Sequence, residues 1–254
     1  MRRFRSPLLG CLMLASFLIS FDTAVAQNAA VSTSTVTLAQ TPLENVRIQG
    51  QSISDLLSRF ALRYDIPVGL EIARPGDLAS FYCINFRKGT LSDLLTQFVA
   101  DHNEYAWKIE DGVVSIFPRD AYRDYLMNQL LATEIDDFSV AKRTTTWTLS
   151  QSLFSTPEIA GILEGYALRN GGENFSGFSL PQLGKEFSFS VSRMNLKAIL
   201  DKIIKESPTA KFWTISNNFS DRSVTLIVKA GFEYAPEDRY LKEVNFDDLI
   251  EPWP

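Results

Sequence analysis

Apolar positions recur along the chain in two rhythms. Ile53, Leu56, Leu57, Phe60 and Ala61 fall at three- and four-residue spacing. That spacing predicts a helix over 52–64, with Ser52 as N-cap and Asp55 in the first turn. Pro67 closes it, because the residue before a proline is biased away from helical backbone. Leu91, Leu94, Leu95, Phe98 and Val99 predict a second helix over 90–102, where Thr90 and Asp93 form a capping box. Leu196, Ile199, Leu200, Ile203 and Ile204 predict a third over 195–206, capped by Asn195. Between them the rhythm changes to alternation. Tyr82, Ile84 and Phe86 line one face of a strand predicted over 81–87. Residues 105–109 and 113–117 alternate on either side of Asp111-Gly112, a hairpin turn signal. Further strands are predicted at 187–192 and 223–229, and short ones at Val46–Ile48 and Val68–Ile72.

The order strand, helix, Trp-containing strand, returning strand occurs twice. Leu91, Leu94, Leu95, Phe98 and Val99 match the third helix at an offset of 105 residues, and Trp107 matches Trp213 at 106. An internal duplication is the expectation. Arg119 to Leu131 reads as a linking helix, and Ile135, Phe138 and Val140 as a strand entering the second unit. Thr144 to Phe154 and Pro157 to Arg169 read as helices, stopped by Asn170-Gly171-Gly172. Residues 175–180 would then correspond to Val68–Ile72. The expected fold class is α+β: two small tandem units, each a mixed or antiparallel sheet covered by two helices. The expected boundaries are a flexible leader at 27–43, a first unit at 44–118, a linking helix at 119–134, a second unit at 135–231 and a tail at 232–254.

The N-terminus has the layout of an export signal. Arg2, Arg3 and Arg5 precede an apolar run from Leu8 to Phe21, and Ala24-Val25-Ala26 forms a small-x-small cleavage site. The run is too short for a comfortable membrane span. Cys11 is a poor lipoprotein acceptor, because too few apolar residues precede it. Cleavage after Ala26 leaves 228 of 254 residues and moves the net charge from −5 to −7. The expected location is therefore the periplasm or outside the cell, with no stable membrane span. The acidic balance argues against nucleic acid, which needs clustered Lys and Arg. Composition is otherwise that of a folded chain, 45% apolar and 22% charged.

Cleavage also makes Cys83 the sole mature thiol, so no internal disulfide is expected. Within a strand it reads as a small buried hydrophobe rather than a catalytic thiol. Its helper would have to be His102, the chain's one histidine, which reads as a solvated helix end. One histidine leaves no metal-ligand set, and no phosphate-binding glycine loop is present. No cofactor or metal is expected. Asp136-Asp137 and Asp247-Asp248 are acid pairs, but adjacent residues point apart and make poor acid–base partners. Trp107 and Trp213, at matching places, read as core packing rather than a stacking platform. Arg119, Arg123, Lys142 and Arg143 are too dispersed for an anion-binding patch.

The segment from Val46 to Pro118 resembles the short N-terminal domain shared by bacterial secretins and TonB-dependent outer-membrane receptors. Three stretches carry the likeness: Ser52 to Tyr64, Ile84 to Val99, and Tyr105 to Phe117 with its Asp111-Gly112 turn. In that family the domain is a periplasmic docking or signalling module with two helices on a sheet. No barrel, plug or pore pattern follows within these residues, so no receptor or secretin activity and no individual functional residue is carried over. The resemblance implies a non-catalytic interaction or scaffolding module with a protein partner in the cell envelope. The rival is a hydrolase of envelope polymers working through paired carboxylates. Exposed sheet edges accept strands from partners. The candidate edges are Val113, Ser115 and Phe117, with Val224 and Leu226. The tail holds seven acids among aromatic residues and is a second candidate, through Tyr240, Phe246 and Trp253.

Overall fold

A computed structural model of the chain describes residues 38–73, 82–171 and 182–231. The class is mixed α+β. Strand β1 spans Pro42–Gly50 and leads into helix α1, Ile53–Tyr64. Ser52 caps α1 by accepting from the Asp55 N–H, and Asp65 ends it in the left-handed region (φ 56°). Strands β2 (Val68–Glu71) and β3 (Tyr82–Thr90) follow. Helix α2, Leu91–Asp101, opens with the capping box: Thr90 Oγ1 accepts from the Asp93 N–H, and Asp93 Oδ2 accepts from the Thr90 N–H. Strands β4 (Tyr105–Glu110) and β5 (Val113–Pro118) form the hairpin across Asp111-Gly112, both residues at positive φ as a primed turn requires.

The expected linking helix is a short 3-10 turn at Asp120–Tyr122 followed by α3, Tyr125–Ala132. Then come β6 (Glu134–Val140), α4 (Thr146–Phe154), α5 (Pro157–Gly165) and β7 (Arg169–Asn170). Strand β8 (Phe189–Asn195), helix α6 (Leu196–Glu206), and strands β9 (Ala210–Asn218) and β10 (Ser223–Ala230) complete the described chain. Ordered structure starts earlier than the expected leader boundary, since β1 begins at Pro42. The export segment, the strand expected at 175–180 and the tail lie outside the described residues.

Among the described residues the strands form three sheets. β1 pairs antiparallel with β3, and β6 with β8. The remaining six make one mixed sheet in the order β4-β5-β2-β9-β10-β7. The first half contributes β4-β5-β2 and the second β9-β10-β7. They meet at β2 and β9, which run parallel with Gly69 opposite Trp213. The expected pair of separate sheets is therefore corrected at this point. Two short sheets with bare apolar faces gain more by fusing edges, because fusion satisfies backbone groups on β2 and β9 that would otherwise face water.

The two faces of the fused sheet carry different cores. Val68, Leu70, Val114, Ile116 and Phe212 point to one face, where α1 and α2 bury them. Trp213, Ile215, Val224, Leu226 and Val228 point to the other, under α3 to α6. Leu94 and Leu95 of α2, and Ile199 and Leu200 of α6, are buried as their spacing predicts. Each half thus covers one side of a shared wall.

Cys83 is exposed, contrary to its sequence reading. The alternation that buries Tyr82, Ile84 and Phe86 turns Cys83 outward, and the β1–β3 sheet is covered on one face only.

Candidate functional site

The strand order corrects the first candidate edge, and the second at Val224. Val113, Ser115 and Phe117 lie on β5, between β4 and β2; Val224 and Leu226 lie on β10, between β9 and β7. The β5 backbone is committed on both sides, so that strand offers no edge; β7 covers β10 only at Ser223 and Val224, and Leu226 lies beyond the paired stretch. The insertion of β2 beside β5 is what closes the first, a pairing between residues 46 apart in the chain. Among the described residues, the outermost strands are β4 and β7. Tyr240, Phe246 and Trp253 of the tail, and Asp247-Asp248, lie outside the described residues.

The seam between the halves carries a polar cluster that sequence reasoning missed. Helix α6 lies across it. Lys197 Nζ donates to Ser115 Oγ on β5 at 3.0 Å and pairs with Asp201 one turn along. Asp201 Oδ1 accepts from Trp213 Nε1 at 2.8 Å. The Lys197 and Asp201 side chains are only 21% and 18% exposed, so this is an interior tie rather than a surface pair. Losing one partner of such a pair is costly, because the other is left charged and half-dry. Spacing of four on one helix face was a readable signal for the pair. Its landing on Ser115 and Trp213 was not readable, since three separate strands and a helix meet there.

Glu71, at the end of β2, sits beside this cluster. Burial pushes its carboxyl above the ordinary glutamate range; Arg123, Lys197 and Lys108 oppose that shift and Asp201 adds to it. A carboxyl whose folded pKa is raised binds its proton more tightly folded than unfolded. Its contribution to stability is therefore fullest below the unfolded value near 4.5 and is lost as pH rises through the folded value. Glu71→Gln is expected to melt higher than the parent at pH 7, with the advantage shrinking toward pH 4. Thermal melts of both proteins across that range check it, and a Glu71→Gln protein that melts lower than the parent at pH 7 would refute it.

Lys108 and Arg123 stand over the Phe117 ring, their charged groups 5.5 and 5.6 Å from its centroid. Phe117 is half-buried beneath them rather than presented at an edge. A depression of about 410 Å³ opens between the Asp111 turn and α6, walled by Glu110, Lys197, Asp201, Lys202 and Lys205. Its walls mix both charge signs, whereas small-molecule pockets are mostly apolar with few polar groups.

The remaining candidates separate. Cys83 and His102 line one small hollow of about 20 Å³ between β3 and α2. The His102 ring packs on Tyr82 and Phe98, at 5.5 and 4.7 Å between centroids, as the C-cap of α2. Asp137 accepts from the Ser192 hydroxyl, and the Asp136 N–H donates to Glu158. Trp213 is 1% exposed in the core, and Trp107 is half-buried against the first core. Among the described residues no group of three or more His, Cys, Asp or Glu is arranged to hold a metal. Set against known protein families, curated proteins and solved structures, the chain matches none of them, so the resemblance to the short secretin and receptor domain stands on its residue pattern alone.

Proposed function

We propose that this chain is a non-catalytic interaction or scaffolding module of the bacterial cell envelope, exported through its N-terminal signal and associated with a secretin or another outer-membrane system. One observation carries the reading: the two halves of the chain already join each other by strand pairing. β2 and β9 form a parallel seam, and β4 holds at the margin the position that β9 holds inside. Strand pairing is a common way for envelope modules to dock, because backbone bonds give affinity with few side-chain demands. The signal-like N-terminus and the family resemblance support the compartment. Among the described residues no helix is long and apolar enough to cross a membrane.

The polar seam bears on the rival hydrolase. Its acid with the raised pKa, Glu71, has Asp201 as a neighbouring carboxylate. Both Asp201 oxygens are already engaged, one by Trp213 and one by Lys197. Lys197 acts as a donor to Ser115, and Ser115 is 2% exposed. This arrangement ties α6 to the sheet.

The test is photocrosslinking in intact cells, with a photoreactive residue replacing Lys108 on β4 or Lys88 on β3. An adduct with one envelope protein from position 108, and none from position 88, is the expected result. No adduct from either position, together with envelope-polymer hydrolysis that Glu71→Gln abolishes, would replace this reading with the rival.

A further inference from the structure

We propose that β4 accepts a parallel strand from a partner protein, and that the incoming segment reads apolar–glycine–apolar with its glycine opposite Trp107. The proposal rests on the interaction-module reading and supplies the chemistry of the partner.

The backbone of β4 shows which groups are available. A two-residue turn makes its flanking residues, Glu110 and Val113, a hydrogen-bonded pair. Alternation then turns the N–H and C=O of Glu110 and Lys108 toward β5, and those of Ile109 and Trp107 away from it. The start of the strand agrees: the Arg119 N–H donates to the Glu104 carbonyl, while the Tyr105 carbonyl faces out and is met by Arg119 Nε at 2.9 Å. Among the described residues β4 pairs with β5 alone.

The same chain shows what such an edge takes. β9 holds the place in the second half that β4 holds in the first. Each is the antiparallel neighbour of the strand that follows it, with Trp107 opposite Ile116 and Trp213 opposite Val228. The outer side of β9 is filled by β2, in parallel, and the Ile72 N–H donates to the Ile215 carbonyl. Ile215 and Trp213 therefore turn to β2 the same groups that Ile109 and Trp107 turn outward.

The side chains set the sequence requirement. A Cβ on Gly69 would lie 2.5 Å from Cε2 and Cζ2 of Trp213, so a strand beside this tryptophan must present glycine. The flanking Val68 and Leu70 are buried. Trp213, covered by β2, is 1% exposed; Trp107, with no strand on its outer side among the described residues, is half-buried. A strand arriving at β4 in the same register meets Trp107 as Gly69 meets Trp213. Lys108, which pairs with Glu110 at the surface, discourages indiscriminate pairing along this edge.

The probe is the strand that lies beside Trp213: an acetylated, amidated peptide Ile-Pro-Val-Gly-Leu-Glu-Ile, the sequence of residues 66–72. It is titrated into the exported full chain while backbone amide resonances are followed. Shifts centred on Trp107 and Ile109 are expected, with binding about tenfold weaker or worse for a peptide carrying valine in place of glycine. Ile109→Pro removes an outward donor and should abolish binding. Because that variant can fail to fold, Trp107→Val serves as a second test, and it should restore binding of the valine peptide. Equal binding of both peptides, shifts confined to other strands, or no binding at all would overturn the proposal. So would concentration-dependent self-association that Ile109→Pro removes, since the occupant would then be a second copy. A position-108 adduct in cells with no glycine dependence here would sink this proposal and leave the interaction-module reading standing.

Discussion

Gly69→Val is expected to lower the melting temperature by roughly 6–12 °C, the equivalent of about 3 kcal/mol in a domain of this size. A side chain at this position collides with the Trp213 ring, which cannot easily retreat. The ring is 1% exposed, and its Nε1 is held by Asp201. Either the β2–β9 pairing must open or the tie from α6 must break. Opening the pairing exposes backbone groups, and breaking the tie leaves Asp201 without its indole donor. Circular dichroism melts measure the loss. A second substitution, Trp213→Leu, should make the double variant less damaged than the sum of the two singles, since one clash accounts for most of the first effect. A melting temperature within about 2 °C of the parent would mean that the seam is more pliable than close packing allows.

Leu95→Asp is expected to be larger still, on the order of 5 kcal/mol. Leu95 is fully buried in α2, among side chains from β2, β3 and α1. Aspartate removes the apolar contacts and places a carboxylate where none of its partners can donate to it. The loss is comparable with the whole stability of many domains, roughly 5–15 kcal/mol. The fused sheet adds a sharper expectation. Phe212, from the second half, lies in the first core, so the damage should reach both halves in one transition. Hydrogen exchange at Thr214 and Ile227, whose backbone groups face each other between β9 and β10, checks this. If those amides keep their parent protection while the first half opens, the halves fold independently and the shared sheet does not couple them.

Some features were readable because their causes are local. Ser52, Thr90 and Asn195 cap their helices because each sits three residues before an N–H that its side chain can reach. The Asp111-Gly112 turn follows from two residues that tolerate positive φ. The buried faces of α1, α2 and α6 follow from the helical period itself.

Other features depended on which strands became neighbours. Cys83 looks buried by composition, yet the two-stranded sheet that carries it leaves its face open. β5 and β10 look like margins because each ends a hairpin, yet β2 closes the outer side of β5 and β7 covers the first two residues of β10. Glu71 looks like an ordinary strand end until α6 and Arg123 come over it. Ser115, Lys197, Asp201 and Trp213 span 98 residues and have no common spacing. By itself the amino-acid sequence determined the elements, their caps and their buried faces, through interactions within a few residues. The partners across the sheet, the polar seam and the strand left at the margin were decided by tertiary structure, because they depend on how two apolar-faced halves cover each other.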